Sequence, residues 1–198
     1  MRKGEQTRER ILARAAEVFN VRGANGASLS DIMAATGLKK GGIYNHFGSK
    51  DDLALASFDH AAAVIERRFA DVWREEGADL LLAFVAAFRD YATHPPLQGG
   101  CPLLNTAIDS DDTHPALRER TQGLAGRLQR RLRLAVEEGK ARGDVRPDVD
   151  AEALPSVMLG TLEGGVMLSK LYGDIVHLER AADFLVAHLE RNVRARAT

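Results

Sequence analysis

Lys40 and Tyr44 lie four positions apart, as do Gly41 and Asn45, and Lys39 stands just ahead of them. At helical spacing these residues share the outer side of a short helix, with Ile43 and Phe47 turned the other way. Their chemistry suits a nucleic-acid groove. A lysine ammonium pairs with phosphate, an asparagine amide can hydrogen-bond an adenine edge, and a tyrosine can bond a phosphate or lie against a thymine methyl. Gly41 and Gly42 each cost about 1 kcal/mol relative to alanine inside a helix. Bare positions let a backbone approach DNA closely, and the competing explanation is that both fall in a first turn, where glycine costs less.

The elements that would position this face follow from helix start and stop residues. Ser28 with Asp31 three positions on is a capping-box arrangement, so a helix starts near Leu29. Ile32, Met33 and Ala35 supply its apolar side, and Gly37 can adopt the left-handed conformation that ends it. The second helix is predicted from Lys39 or Lys40 to Phe47, with Gly48 ending it. Ser49 with Asp52 repeats the capping pattern and starts a third helix. Two helices joined by a few residues including a glycine make a helix-turn-helix.

The segment from about Thr7 to Leu53 resembles the amino-terminal DNA-binding domain of the tetracycline-repressor (TetR) family. The matching residues are Ala15, Phe19, Gly23, Ile32, Gly37, Lys40, Gly41, Ile43, Tyr44, His46, Phe47, Lys50 and Leu53. The resemblance implies a mostly helical homodimer that binds a palindromic operator, usually as a repressor, and leaves DNA when a small molecule enters the carboxy-terminal domain. By position it carries over Ser28, Lys39, Lys40, Gly42, Tyr44, Asn45, His46 and Lys50 as DNA contacts. Three positions depart from the common pattern. Ala27 stands where a hydroxyl residue is frequent, Lys39 where serine is, and Gly42 where threonine or another side chain is, so the operator of a relative does not transfer.

Charge is distributed in keeping with this. The chain of 198 residues has a net charge of −1, but residues 1–50 carry nine Lys or Arg against four acids, +5, which leaves −6 for the remainder. A basic head and an acidic body are expected where one end meets phosphate. Arg2, Lys3 and Arg8 could extend the head as a basic arm. The longest apolar run, Leu80 to Phe88, spans nine residues, too few for a membrane helix. With a polar start at Met1 to Gln6, the chain is expected to be soluble and cytoplasmic.

The fold expected is all-α: a three-helix helix-turn-helix domain over residues 1–50 and a helical ligand-binding and dimerisation domain over 51–198. One long helix is predicted from Ser49 to about Glu76, ended by Gly77, and a second from Asp79 to Thr93, closed by His94-Pro95-Pro96. A short helix over Pro102–Asp109 follows the loop Gln98–Gly100. A longer one begins near Thr113 or His114 with Pro115 at its first position, carries Leu117, Thr121, Leu124, Leu128 and Leu132 on one side, and ends at Gly143. Asp150 to about Tyr172 contains Gly160, Gly164 and Gly165, and Asp174 to about Arg196 carries the stripe Ile175, Leu178, Ala182, Leu185 and Leu189. These last two helices are assigned to a two-fold dimer contact, the alternative being that the stripe packs within its own subunit. A dimer would hold two recognition helices about 34 to 36 Å apart, in successive major grooves.

Candidate ligand contacts are Trp73, Phe84, Phe88, Tyr91, Leu104, Met158 and Met167 as apolar groups and Cys101, Asn105, Asp109 and Glu163 as polar ones. Cys101 is the single cysteine, which excludes an internal disulfide and leaves a redox-responsive thiol as an alternative. The six histidines are scattered, and no HExxH, GxSxG or phosphate-loop motif is present, so no enzyme, metal or cofactor is expected. The partners are therefore double-stranded DNA, a small-molecule effector and a second copy of the chain. Two other classes remain open: a small-molecule binding protein with a vestigial head, and an assembly factor using the head to bind protein. The charged outer face from Lys39 to Lys50 argues against both.

Overall fold

Two helix starts in the amino-terminal region, after Ser28 and after Ser49, are capped by local side chains in a computed structural model that describes residues 3–195. Helix α1 (Lys3–Gly26) is interrupted at Gly23, whose φ of 73° and ψ of 165° no helix contains. Helix α2 (Leu29–Thr36) starts at a complete capping box. The Asp31 N–H donates to Ser28 Oγ at 3.1 Å, and the Ser28 N–H donates to the Asp31 carboxylate at 2.9 Å. It ends at Gly37 in the left-handed conformation, φ 69°.

Helix α3 (Lys40–Tyr44) is shorter than the Lys40–Phe47 span expected. The chain tightens after Tyr44, where the His46 N–H bonds the Ile43 carbonyl three residues back. Phe47 remains 5% exposed despite leaving the helix. Helix α4 (Lys50–Arg68) begins at the second predicted cap, with the Asp52 N–H donating to Ser49 Oγ at 2.9 Å.

Ile11, Leu12, Ala15, Ile32, Ile43, Phe47 and Leu53 form one buried cluster, with Val18, Phe19, Leu29, Met33 and Leu38 packed around it. Burying a side chain of this size contributes about 1.5–3 kcal/mol. Ile43 and Phe47 thereby fasten α3 from below.

The long helix expected from Ser49 to Glu76 stops at Arg68. The Ala70 N–H bonds the Arg67 carbonyl, and a 3₁₀ turn covers Val72–Arg74. This break lets Phe69 and Trp73 enter a ring cluster with residues of helix α5 (Gly77–Thr93). Ring centroids lie 5.2 Å apart for Phe69 and Phe84, 6.0 Å for Phe84 and Phe88, and 6.3 Å for Phe88 and Tyr91. Such pairs add about 0.5–1.5 kcal/mol each beyond burial, enough to offset a lost helical turn. Gly77 does not end the earlier helix but opens α5, at φ 51°. A Cβ there would sit 2.2 Å from an Asp144 carboxylate oxygen.

Helix α6 (Pro102–Ser110) follows the loop, and helix α7 (Pro115–Arg142) starts at its expected proline. Leu117, Thr121, Leu124, Leu128 and Leu132 are all buried. Helix α8 (Ala153–Tyr172) begins later than Asp150, whose carboxylate instead accepts from the Glu152 and Ala153 N–H groups. Pro155 then falls in the first turn, where its missing N–H is not needed.

Helix α9 (Val176–His188) ends in a π turn over Leu189–Val193, earlier than expected, and Arg196 lies outside the described residues. The assignment of its apolar stripe to a dimer contact is corrected by the structure. Leu178, Ala182, Leu185 and Leu189 are 0–2% exposed within one chain. Gly165 explains it, because a Cβ there would lie 3.0 Å from the Leu178 Cα, so α8 and α9 meet at backbone distance. Gly160 and Gly164 instead face open space.

The chain divides into two compact units. One holds the positions up to Ile65 together with Pro96–Leu124; the other holds Glu66–Pro95 and the chain from Ala125 onward. The first unit thus takes in residues 51–65 and 96–124 besides the first fifty.

Two stability outcomes are expected. Phe84 is fully buried, so Phe84→Ala should cost about 3–5 kcal/mol in urea unfolding, and a smaller loss than that of an exposed site would contradict the ring-cluster account. The Ser28 hydroxyl bond, then the Ser28 N–H bond, hold the Asp31 carboxyl below its ordinary range. Its contribution is complete above the unfolded aspartate pKa and is lost as pH falls through the lower folded value. Ser28→Ala should therefore lower the melting temperature more at pH 7 than in strong acid, where the Asp31 N–H bond to Ser28 Oγ is lost but no carboxylate bond remains to lose.

Candidate DNA-recognition surface

The buried pair Ile43 and Phe47 fixes which side of α3 faces solvent. Lys39, Lys40, Gly41 and Asn45 are exposed, and Gly42, Tyr44 and His46 are half-buried. The Lys40 ammonium sits 5.7 Å from the centre of the Tyr44 ring, which places a cation and a phenol side by side. Lys39 is the residue preceding the helix and makes no capping hydrogen bond with its side chain. Asn45 closes the helix, with its backbone N–H on the Gly41 carbonyl at 3.0 Å and its side chain outward.

Gly41 and Gly42 are not required by packing inside the protein. A Cβ on Gly41 would meet nothing within 4 Å, and one on Gly42 would make ordinary contact with Leu38 at 3.6 Å. Both also sit in the first turn of α3, so the conformational cost is modest there. A surface left bare without an internal reason suits close approach by another molecule.

Two expected contacts carry internal duties. Ser28 Oγ is engaged with Asp31, both accepting and donating. Lys50 Nζ donates to the Ala27 carbonyl at 2.9 Å, so it clamps the turn between α1 and α2. An ammonium has three N–H groups, and this bond uses one. Lys3 and Arg8 belong to helix α1 rather than to an extended arm, and Arg2 lies outside the described residues. The Arg8 guanidinium lies 5.1 Å over the Phe47 ring, a contact whose partners are 39 positions apart in the chain and carry no local signal.

The candidate ligand residues do not form one set. Trp73, Phe84, Phe88 and Tyr91 come together in the ring cluster, with the Arg131 guanidinium 4.9 Å over Trp73. Met158 and Glu163 are buried on α8 in the same unit. Cys101, Asn105 and Asp109 belong to the first unit. Asn105 bonds Asn20 and Gly99, and Asp109 accepts the Ala24 N–H at 2.7 Å, so both hold α6 to α1. Cys101 is 5% exposed at the start of α6, whereas a sensor thiol must be reachable. Leu104 is half-buried on α6, and Met167 is 44% exposed on α8. Among the described residues, no helix is long and apolar enough to cross a membrane.

A capped helix-turn-helix with a basic outer face defines a DNA-binding protein. Residues 11–57 match the family of bacterial regulatory proteins of the tetR family, and residues 77–185 match the tetracyclin repressor-like carboxy-terminal domain. The crystal structure of a TetR transcriptional regulator from Chloroflexus aurantiacus is 49% identical, covers 99% of this chain and 100% of that one, and superposes with a TM-score of 0.95. A TetR-family regulator from Cytophaga hutchinsonii is 30% identical over 100% of this chain and 99% of its own, with a TM-score of 0.89. The transcriptional repressor AcnR of Corynebacterium diphtheriae is 28% identical, with 95% of this chain and 92% of that protein aligned. The chain belongs to the TetR family of DNA-binding transcriptional regulators, a family of regulators and not of enzymes.

Gly41→Ala separates the two explanations for the bare positions. It should leave stability unchanged or raise it by up to about 1 kcal/mol, while weakening DNA binding measured by fluorescence anisotropy. Unchanged binding would mean that the α3 backbone does not approach the duplex.

Proposed function

We propose that the protein is a ligand-responsive repressor that binds an inverted-repeat operator as a homodimer in the cytoplasm and is released by a small molecule. The observation that carries this is the outer face of α3, where Lys39, Lys40, Tyr44 and Asn45 surround two glycines that internal packing does not require. Lys39, Lys40 and Tyr44 contact phosphates, Asn45 reads a base edge, and Gly42 lets the backbone in. Ser28, His46 and Lys50 complete the contact set, Lys50 through the N–H groups that its Ala27 bond leaves available. The repressor sign is supported by relatives such as AcnR, which is named as a repressor.

The dimer contact is proposed on the side of α8 and α9 opposite the buried stripe. Val157, Met167, Leu171 and Tyr172 on α8 and Phe184 on α9 are 44–71% exposed, and Gly160 and Gly164 beside them face open space. Large apolar groups left to water around small residues suit the close approach of a second helix pair. Two-fold symmetry then presents two α3 helices to one face of the duplex. The effector is proposed to act through the second unit, where the ring cluster, Met158 and Glu163 offer an apolar body and a carboxyl group.

A gel shift on DNA flanking its own gene tests the proposal. Affinity should fall about 10³-fold between about 50 and about 200 mM salt if six or more phosphates are contacted, and affinity independent of salt would contradict it. Leu171→Glu should give a monomer by light scattering and abolish high-affinity binding. A dimer with full affinity would place the contact elsewhere.

A further inference from the structure

Helix α7 carries arginines at 127, 130, 131 and 133, and helical spacing sends them to different neighbours. Arg127 Nε donates to the Glu66 carboxylate at 2.8 Å, and the Arg131 guanidinium lies over the Trp73 ring. Arg133 is shared between Glu137 at 2.8 Å and Glu152 at 3.5 Å. Arg130 is exposed and, among the described residues, has no hydrogen bond, ion pair or ring contact.

The unpaired guanidinium borders a recess of about 410 Å³ between α7 and the first turn of α8. Gly126, Gln129, Arg130 and Arg133 line one side, and Glu152, Pro155 and Ser156 line the other. Both walls belong to the second unit, and Val157, Met167, Leu171, Tyr172 and Phe184 take no part in them. A recess of this size is within the range that holds a small molecule. Glycine inside a helix is destabilising relative to alanine, and internal packing does not require Gly126, where a Cβ would meet nothing within 4 Å. Its missing side chain keeps the wall beside Arg130 open.

Charge decides which molecule fits. From Gly126 to Leu134, α7 has four arginines and no acid. Glu137 and Glu152 both pair with Arg133, so the charge of Arg130 is left uncompensated, and like charges within a turn of it raise the local potential. The amino end of α8 is not the attraction. Its Glu152 and Ala153 N–H groups already donate to the Asp150 carboxylate, which offsets that end of the helix dipole. The donor on the α8 side is the Ser156 hydroxyl. Gln129 Nε2 donates to Ser156 Oγ at 3.3 Å, which fills an acceptor site on that oxygen and leaves its O–H for another acceptor. A carboxylate or a phosphate matches these groups, because two of its oxygens accept the parallel N–H bonds of a guanidinium while an oxygen also accepts from serine.

We propose that the recess formed by Arg130, Arg133, Gln129 and Ser156 is a binding site for a small oxyanion, a carboxylic acid or a phosphate compound. Arg130 supplies the paired N–H bonds and the charge, Ser156 donates the further hydrogen bond, and Gln129 orients that hydroxyl. The site shares no residue with the ring cluster or with α3, and it stands independently of the function proposed above.

The test is calorimetric titration of the full chain with citrate and with inorganic phosphate at pH 7, with ionic strength held constant by sodium chloride. At least one probe should bind saturably with a Kd below about 1 mM. Binding of phosphate alone marks a phosphate compound, binding of citrate alone a carboxylic acid, and binding of both the shared oxyanion chemistry. Arg130→Ala should weaken binding about tenfold or more, and Ser156→Ala about threefold. Arg127→Ala removes the same charge from a guanidinium already held by Glu66, and it should bind within about twofold of the unaltered protein. Arg130→Ala should also keep the melting temperature of the unaltered protein, which separates lost binding from lost fold.

A Kd above about 1 mM for both probes would overturn the proposal. So would binding that Arg130→Ala leaves unchanged, or that Arg127→Ala weakens equally, since diffuse attraction to a basic helix does not distinguish the two arginines. No DNA is present in the titration, so its outcome is separate from that of the proposed function.

Discussion

A helix of five residues with two adjacent glycines has no stability of its own. Nucleation alone makes isolated helices shorter than about 12 residues marginal in water, and α3 is far below that. Everything it presents to a partner depends on burial of Ile43 and Phe47 in the cluster formed by Ile11, Leu12, Ala15, Ile32 and Leu53. The capping box at Ser28, the left-handed Gly37 and the cap at Ser49 place the ends of its neighbours, and the Lys50 bond to Ala27 closes the turn between the first two helices. The recognition surface is therefore a property of the whole head, displayed on its least stable element.

The head was legible in the sequence because its joints are local. Ser28 with Asp31, Gly37, and Ser49 with Asp52 act within four residues of the ends they define, and Ile43 with Phe47 mark the inner side by spacing alone. Long-range features carried no such signal. The stop of α4 at Arg68 contains neither proline nor glycine and follows from the ring packing of Phe69 and Trp73 with α5. The apolar stripe of α9 was visible, but spacing cannot distinguish burial within a chain from burial between chains. The approach of Leu178 to Gly165 decides it, and that contact is a tertiary fact.

The candidate polar contacts show the same limit. Asn105 and Asp109 stand among the candidate polar ligand contacts by residue type and position alone. Their partners are on α1, some 85 positions away. Those bonds place α6 in the same compact unit as the first three helices, although it lies more than 50 residues beyond them in the chain. Arg8 is altered in the same way, from an arm reaching for DNA to a cation covering Phe47. Each case exchanges a functional guess for a packing duty, and in each the remaining exposed face of α3 becomes the more specific signal.

The most direct measurement of the central claim is a hydroxyl-radical footprint on a selected duplex, combined with the mass of the complex. Two copies per duplex should protect two backbone segments on one face, their centres about one helical turn apart, with protection lost when Lys39, Lys40 and Tyr44 are replaced by alanine. A single protected segment, or protection that survives those replacements, would contradict a symmetric pair of heads reading DNA through α3.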